Sequence, residues 1–144
     1  MTTMTTRCPH CKALNRLPLE RVNDEATCGT CKEKLLDGMP IEGTADNFAN
    51  LINGDKPVVV DFWAPWCSPC VGFAPVFADV ANERNGAARF VKIDTEAQQA
   101  LAGQYRIRSI PTIMVFKGGK MVDMLNGAMP KTAFNEWLNN ALTK

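Results

Sequence analysis

An apolar run leads directly into a pair of cysteines in the segment Val60-Asp61-Phe62-Trp63-Ala64-Pro65-Trp66-Cys67-Ser68-Pro69-Cys70. Residues 57–63 are apolar and β-branched almost throughout, which predicts a central strand buried on both faces. A helical pattern follows over 67–85, so Cys67 stands at the start of a helix. Unpaired backbone N–H groups and the positive end of the helix dipole stabilise a thiolate at such a position.

A cysteine in this position predicts thiol-disulfide exchange. The thiolate is the nucleophilic form of the side chain, and Cys70 follows Cys67 by about one helical turn. Cys70 can therefore attack a mixed disulfide formed at Cys67, which makes Cys67 the attacking residue and Cys70 the resolving one. The spacing alone leaves a structural zinc pair or two inert buried cysteines as alternatives. A zinc pair needs two further ligands, and the chain has neither Cys nor His after Cys70.

The patterns on both sides of this segment alternate between helix and strand. We predict helices ending at 53–54 and over 96–104 and 131–142, and strands over 88–94, 112–116 and 121–125. The alternation of strand, helix and strand predicts parallel crossovers, followed by a hairpin through Lys117-Gly118-Gly119-Lys120.

The length and composition allow one good core with a small appendage, since 46% of the 144 residues are hydrophobic. The net charge is +1 with dispersed Lys and Arg, which argues against nucleic acid or an anionic membrane as a partner. Residues 1–7 lack the apolar region of an export signal, and no run approaches the roughly 18 apolar residues of a membrane span. We therefore expect a cytoplasmic protein. We also expect it to be a monomer, although none of these features determines the oligomeric state.

Residues 1–36 form a predicted metal-binding module. All eleven aromatic residues lie at or after Phe48, and a segment of about 40 residues without them is too small to fold by packing alone. Two Cys-x-x-Cys pairs sixteen residues apart fit a closed site for one structural Zn2+, with the ligands Cys8, Cys11, Cys28 and Cys31. Local disulfides, or His10 as a ligand, are the alternatives. Residues 37–40 read as a linker, so the second domain is expected over 37–144.

The segment 60–70 resembles the active-site segment of the thioredoxin family, and the resemblance extends over about 40–144. The stretch from Arg108 to Thr112 is similar to the cis-proline loop of the family, and Asn126-Gly127-Ala128 to the glycine at the rim of its substrate groove. The implied fold is α/β, with a central mixed sheet flanked by helices. A zinc ribbon-like module in front of such a domain resembles one bacterial branch of the family.

The resemblance also implies roles for residues around the cysteine pair. Asp61 would be a buried carboxylate that accepts a proton from Cys70 through water. An Asp within an apolar strand is costly unless it is used or paired, so a structural charge pair with Lys92 is an alternative that does not exclude the first role. Pro111 would be the cis-proline that presents backbone groups beside Cys67. The candidate catalytic residues are Cys67, Cys70, Asp61, Lys92 and Pro111.

A substrate groove is implied around the pair, formed by Trp66, Ser68, Pro69, Ile110 and Gly127. Trp63 fits core packing as well as shielding of the site. The sequence departs from the common family pattern at two positions, because Ser68 replaces a Gly and Val71 replaces a Lys. Since the dipeptide between the cysteines tunes the redox potential, Ser68 leaves the reducing strength of the pair open.

The implied function is reduction of disulfides in substrate proteins. Thioredoxin reductase, an NADPH-dependent flavoenzyme, would return the pair to the dithiol form, because this chain has no nucleotide motif of its own. Two alternatives remain: a thiol oxidant or disulfide isomerase tuned by Ser68, and a redox switch or docking device built on the zinc module. Nucleic-acid binding by that module is disfavoured, since its basic residues are nearly balanced by acids.

Overall fold

The protein, seen here in a computed structural model, is described over residues 3–8, 10–24, 26–36 and 38–144. The strands are β1 Thr3–Arg7, β2 Leu14–Pro18, β3 Ile41–Glu42, β4 Val58–Trp63, β5 Arg89–Asp94, β6 Thr112–Lys117 and β7 Lys120–Asn126. The helices are α1 Phe48–Ile52, α2 Ser68–Glu83, α3 Gln99–Gln104 and α4 Lys131–Ala141. Among the described residues, no helix is long and apolar enough to cross a membrane.

The central sheet has five strands in the order β3-β5-β4-β6-β7 and is mixed, as predicted. β4 and β5 are parallel and are joined by α2, whereas β6 runs antiparallel to β4. The expectation of a second parallel crossover through α3 was therefore wrong. α3 has six residues and spans about 9 Å, less than half the length of a six-residue strand. The chain thus re-enters the sheet at the end where β5 left it, with Thr112 opposite Phe62.

The two faces of the sheet carry separate apolar clusters. Val58, Val60 and Phe62 pack with α1 and α3 on one face, and Val59 packs with α2 and α4 on the other. Because successive strand residues point to opposite faces, Asp61 shares the α2 face with Val59. β4 therefore places the carboxyl group of Asp61 on the face of the sheet that carries α2, the helix that begins at the cysteine pair.

The N-terminal module packs against the α1 face of the sheet. Its buried aliphatic and methionine side chains share one apolar cluster with α1 and β4; they are Met4, Leu17, Leu19, Val22, Leu35 and Leu36. β1 and β2, which the sequence analysis did not predict, form an antiparallel pair within it. The module is thus held by packing onto the larger domain as well as by its cysteine cluster, a source of cohesion that was not anticipated from its composition.

Candidate active site and metal centre

Cys67 and Cys70 lie at the beginning of α2 on the side of the sheet that carries Asp61. Cys67 is the N-cap residue, with extended backbone angles, and its Sγ accepts a hydrogen bond of 3.2 Å from the backbone N–H of Cys70. Pro69 occupies the first turn, where a missing N–H costs no helical hydrogen bond. The two sulfurs are within disulfide bonding distance, with the Cα atoms 5.2 Å apart. Cys67 is 5% exposed and Cys70 1%, so the outer sulfur is the one that a substrate can approach.

The loop that follows α3 closes one side of the cysteine pair. The Ile110–Pro111 peptide bond is cis, the isomer that the resemblance implied, and Sγ of Cys67 lies 3.8 Å from the carbonyl oxygen of Ile110. The backbone N–H of Gly127 donates a 2.8 Å hydrogen bond to the carbonyl of Pro111. The structure therefore brings Ile110, Pro111 and Gly127 to the same edge of the site.

An exposed rim surrounds the buried sulfurs. Trp66 is 68% exposed, Ser68 and Pro69 are exposed beside it, and Ile110 is half-buried. The indole Nε1 of Trp66 donates a hydrogen bond of 3.0 Å to Oε1 of Glu96. Glu96 was not among the site residues predicted from the sequence. The available signal was its position just after β5, the strand adjacent to β4, which places it at the same end of the sheet.

Asp61 is fully buried behind the cysteine pair. Neither of its carboxylate oxygens has a hydrogen-bond partner among the described residues. Burial raises the pKa of Asp61 to about 7, although the positive charge of Lys92 acts in the opposite direction. Lys92 is opposite Asp61 in the register of β4 and β5, but its ammonium group lies 4.3 Å from the centroid of the Trp63 ring. The predicted pairing of these charges is thus a longer-range attraction and not a hydrogen-bonded ion pair.

The four cysteines of the N-terminal module form one compact cluster. The Sγ atoms of Cys8, Cys11, Cys28 and Cys31 all lie within 4.8 Å of one another. Two of the pairs, Cys8 with Cys31 and Cys11 with Cys28, are separated by 3.6 Å. A tetrahedral ZnS4 centre with Zn–S bonds of about 2.3 Å has sulfur-sulfur edges of about 3.8 Å, so the arrangement fits a four-thiolate metal site. The side chain of His10 is exposed and is not part of this cluster.

Two similar turns hold the cluster. The backbone N–H groups of Lys12 and Lys32 donate to the carbonyls of Cys8 and Cys28, both at 3.0 Å, and both lysines adopt positive φ. Hydrogen bonds from backbone N–H groups and from Asn15 lower the pKa of Cys28 to about 5. Donors of this kind orient metal-bound thiolates.

Both parts of the chain match families of known proteins. Residues 39–140 match the family described as Thioredoxin, and residues 7–33 match the family described as Thioredoxin 2, N-terminal. Thioredoxin C-3 of Corynebacterium nephridii is 41% identical over 136 residues, which is 94% of this chain and 93% of that relative. Thioredoxin 2 of Chlorobaculum tepidum is 45% identical over 97 residues, 67% of this chain and 89% of the relative.

The cysteine pair, its helix and the matched residues point to the same chemistry. All four cysteines of the N-terminal cluster lie within the stretch that matches the N-terminal family. The Cys67–Cys70 pair lies within the stretch that matches the larger one. The chain therefore belongs to the thioredoxin family, and its Cys67–Cys70 pair is that of a thiol-disulfide oxidoreductase.

Proposed function

We propose that this oxidoreductase works as a cytoplasmic, monomeric electron carrier that reduces disulfides in substrate proteins. The observation that carries the proposal is the cysteine pair at the N-terminus of α2 with the buried carboxyl group of Asp61 on the same side of the sheet. The helix terminus stabilises a thiolate at Cys67, and the buried carboxyl group offers a proton acceptor. The pair therefore combines a nucleophile with the means to complete the exchange.

The proposed reaction has two displacement steps. The Cys67 thiolate attacks one sulfur of the substrate disulfide, forms a mixed disulfide and expels the other substrate sulfur as a thiolate, which takes a proton from solvent. Cys70 then loses its proton through water to Asp61, and its thiolate attacks Sγ of Cys67. The second substrate sulfur leaves as a thiolate and takes a proton from solvent, to which Asp61 returns the proton of Cys70. The substrate thus gains two electrons and two protons while the cysteine pair becomes a disulfide.

Substrate docking is assigned to the rim around Cys67. Trp66, Ser68, Pro69, Ile110 and Gly127 would form the groove, and the backbone at Pro111 would pair with an extended substrate segment. The exposed indole of Trp66 and its hydrogen bond to Glu96 support this assignment, because a rigid, exposed aromatic ring is a typical anchor for a protein partner. Thioredoxin reductase, using NADPH, would re-reduce the pair after each cycle.

The N-terminal cluster is proposed to bind one structural Zn2+. Cys8, Cys11, Cys28 and Cys31 would hold the ion, which would supply cohesion to the module and no redox step. All four positions are taken by protein ligands in such a site, which leaves no open position for a substrate. We propose the domain boundary between residues 36 and 37, with the zinc module over 1–36 and the thioredoxin domain over 37–144.

Two cysteine variants test the proposed roles. Cys67→Ser should abolish reduction of insulin disulfides, because the remaining thiol, that of Cys70, is only 1% exposed and cannot reach the substrate bond. Cys70→Ser should accumulate a mixed disulfide with the substrate at Cys67, detectable by mass spectrometry of the acid-quenched reaction. Equal partial activity in the Cys67 and Cys70 variants would contradict the assignment.

A further inference from the structure

Three side chains beside the cysteine pair share one face of the sheet. Asp61 and Trp63 are two residues apart on β4 and therefore point to the same face. Lys92 of β5 is opposite Asp61 in register, on a strand that lies about 4.8 Å away. The lysine stem thus starts beside the carboxyl group, and its ammonium group can turn towards either Asp61 or Trp63.

The ammonium group of Lys92 lies over the indole. Its distance to the centroid of the Trp63 ring is 4.3 Å, within the range of a cation–π contact. Both oxygens of Asp61 lack a hydrogen-bond donor among the described residues. The lysine nearest to the buried carboxyl group therefore satisfies its charge on the aromatic ring and leaves the carboxyl group without a direct partner.

The position directly opposite Asp61 on its other neighbouring strand carries no charge. Ile113 of β6 lies opposite Asp61 on the second neighbouring strand and is apolar. The other titratable groups at this end of the sheet are the thiols of Cys67 and Cys70 at the start of α2 and the acids Asp94 and Glu96 at and just after the end of β5. Among the described residues, Lys92 is the charged group that acts on the carboxyl group. The position of the Lys92 ammonium group therefore determines how strongly charge stabilises the ionised form of Asp61.

We propose that Trp63 is a positioning residue that holds the ammonium group of Lys92 away from Asp61 and so preserves the carboxylate as a proton acceptor. This inference rests on the proposed role of Asp61 in the resolving step. An ammonium group within hydrogen-bonding distance would stabilise the ionised carboxylate and make it a weaker base. At its observed place over the indole, Lys92 attracts the carboxylate from further away.

The test is a titration of the Asp61 carboxyl carbon by NMR in the oxidised protein, in which neither active-site thiol titrates. Trp63→Leu removes the aromatic ring, so Lys92 should turn to Asp61 and lower the titration midpoint by about one pH unit, a tenfold increase in acidity. Lys92→Gln alone should raise the midpoint. The decisive comparison is Trp63→Leu in the Lys92→Gln background, where the loss of the ring should shift the midpoint much less.

The double variant separates positioning from hydration. A smaller side chain at position 63 admits water and lowers the midpoint in both backgrounds, so an equal fall with and without Lys92 would overturn the proposal, as would no fall at all. Trp63→Phe, which keeps a ring with a weaker attraction for cations, should give a smaller shift and provides the comparison if the leucine variant does not fold. Lys120→Gln, on β7, is the control and should leave the midpoint unchanged.

The role of Asp61 itself is measured separately. Asp61→Asn should slow release of substrate from the mixed disulfide. If Asp61→Asn leaves that rate unchanged, the proposed proton acceptor is wrong, whereas the titration still decides whether Trp63 positions Lys92. If the rate falls but the midpoint does not respond to Trp63, the positioning proposal fails and the role of Asp61 stands.

Discussion

Arg89 of β5 donates a hydrogen bond of 2.9 Å from Nη2 to the carbonyl oxygen of Val22, which joins the sheet to the N-terminal module. Its Nη1 atom donates to the side chain of Asn23 at 2.7 Å and to the carbonyl of Leu51 at 2.9 Å. Arg89 is only 8% exposed. One buried guanidinium therefore connects the module, α1 and the central sheet.

Replacing this guanidinium should destabilise the whole protein. In Arg89→Met, the carbonyl oxygens of Val22 and Leu51 lose a charged donor while they stay shielded from water, so we expect the free energy of unfolding to fall by about 2–5 kcal/mol. Urea unfolding followed by circular dichroism measures the change. Arg16→Met, an exposed arginine in β2, is the matched control with an expected change below about 0.5 kcal/mol. A similar loss in both variants would show that the buried contacts are not responsible.

Loss of the metal should weaken the module and spare the cysteine pair. Cys28→Ser removes one of four ligands, so the protein should retain little zinc after dialysis against a chelator, and amide exchange should increase in β1 and β2. The module packs on the α1 face, opposite the face that carries α2. Reduction of a small disulfide should therefore change by less than about threefold, an effect below 1 kcal/mol. Full zinc retention in Cys28→Ser would contradict this prediction. Loss of disulfide reduction in the folded variant would contradict it as well.

The pKa of Asp61 makes stability depend on pH. Its folded-state value of about 7 lies above the ordinary value of 3.8, so the folded protein holds this proton more tightly than the unfolded chain does. The contribution to stability is complete below about pH 4 and is lost as the pH rises to about 7. Asp61→Asn should consequently be more stable than the native sequence at pH 8 by up to about 4 kcal/mol, with little difference at pH 4.

Urea unfolding of the oxidised protein at both pH values checks the effect of Asp61. Asp46→Asn, at an exposed position, is the control and should not alter the pH dependence. If the free energy of unfolding changes between pH 4 and pH 8 by the same amount in Asp61→Asn as in the native sequence, ionisation of Asp61 does not destabilise the folded protein.

Trp66 should matter for protein substrates more than for small ones. Trp66→Ala removes the exposed anchor of the rim, and we expect kcat/KM for insulin to fall about tenfold, equivalent to about 1.4 kcal/mol of docking energy. The rate with a small aromatic disulfide should change by less than about threefold, because that substrate needs little of the rim. Met124→Ala, another exposed apolar residue, is the control. Equal losses for both substrates would indicate damage to the cysteine pair instead of lost docking.

The chemistry-bearing residues were predictable because they coincide with local signals. An apolar strand, a helix start and the two-residue cysteine spacing together indicated where Cys67 and Cys70 lie, and the isolated acid in that strand marked Asp61. The mixed sheet followed from the resemblance of residues 40–144 to a known family. In contrast, the direction of β6 depended on how far α3 carries the chain, which a helical pattern does not reveal.

Contacts between distant segments were not predictable in the same way. The cation–π contact of Lys92 with Trp63 and the hydrogen bond of Trp66 to Glu96 depend on rotamers that are selected only when neighbouring strands assemble. The packing of the N-terminal module against α1 was also missed. Its few aliphatic residues are too widely spaced to indicate a core alone, and they become one only beside the apolar residues of the larger domain.

The most direct test of the reductase proposal is equilibration of the Cys67–Cys70 pair against a glutathione redox buffer, with the fraction of dithiol measured by alkylation and mass spectrometry. A protein disulfide reductase of this family should have a potential near −270 mV, so the pair should remain oxidised until glutathione is strongly reducing. Zinc content measured in the same sample shows whether the module stays intact. A potential between about −180 and −120 mV would contradict the proposal and would favour an oxidant or isomerase.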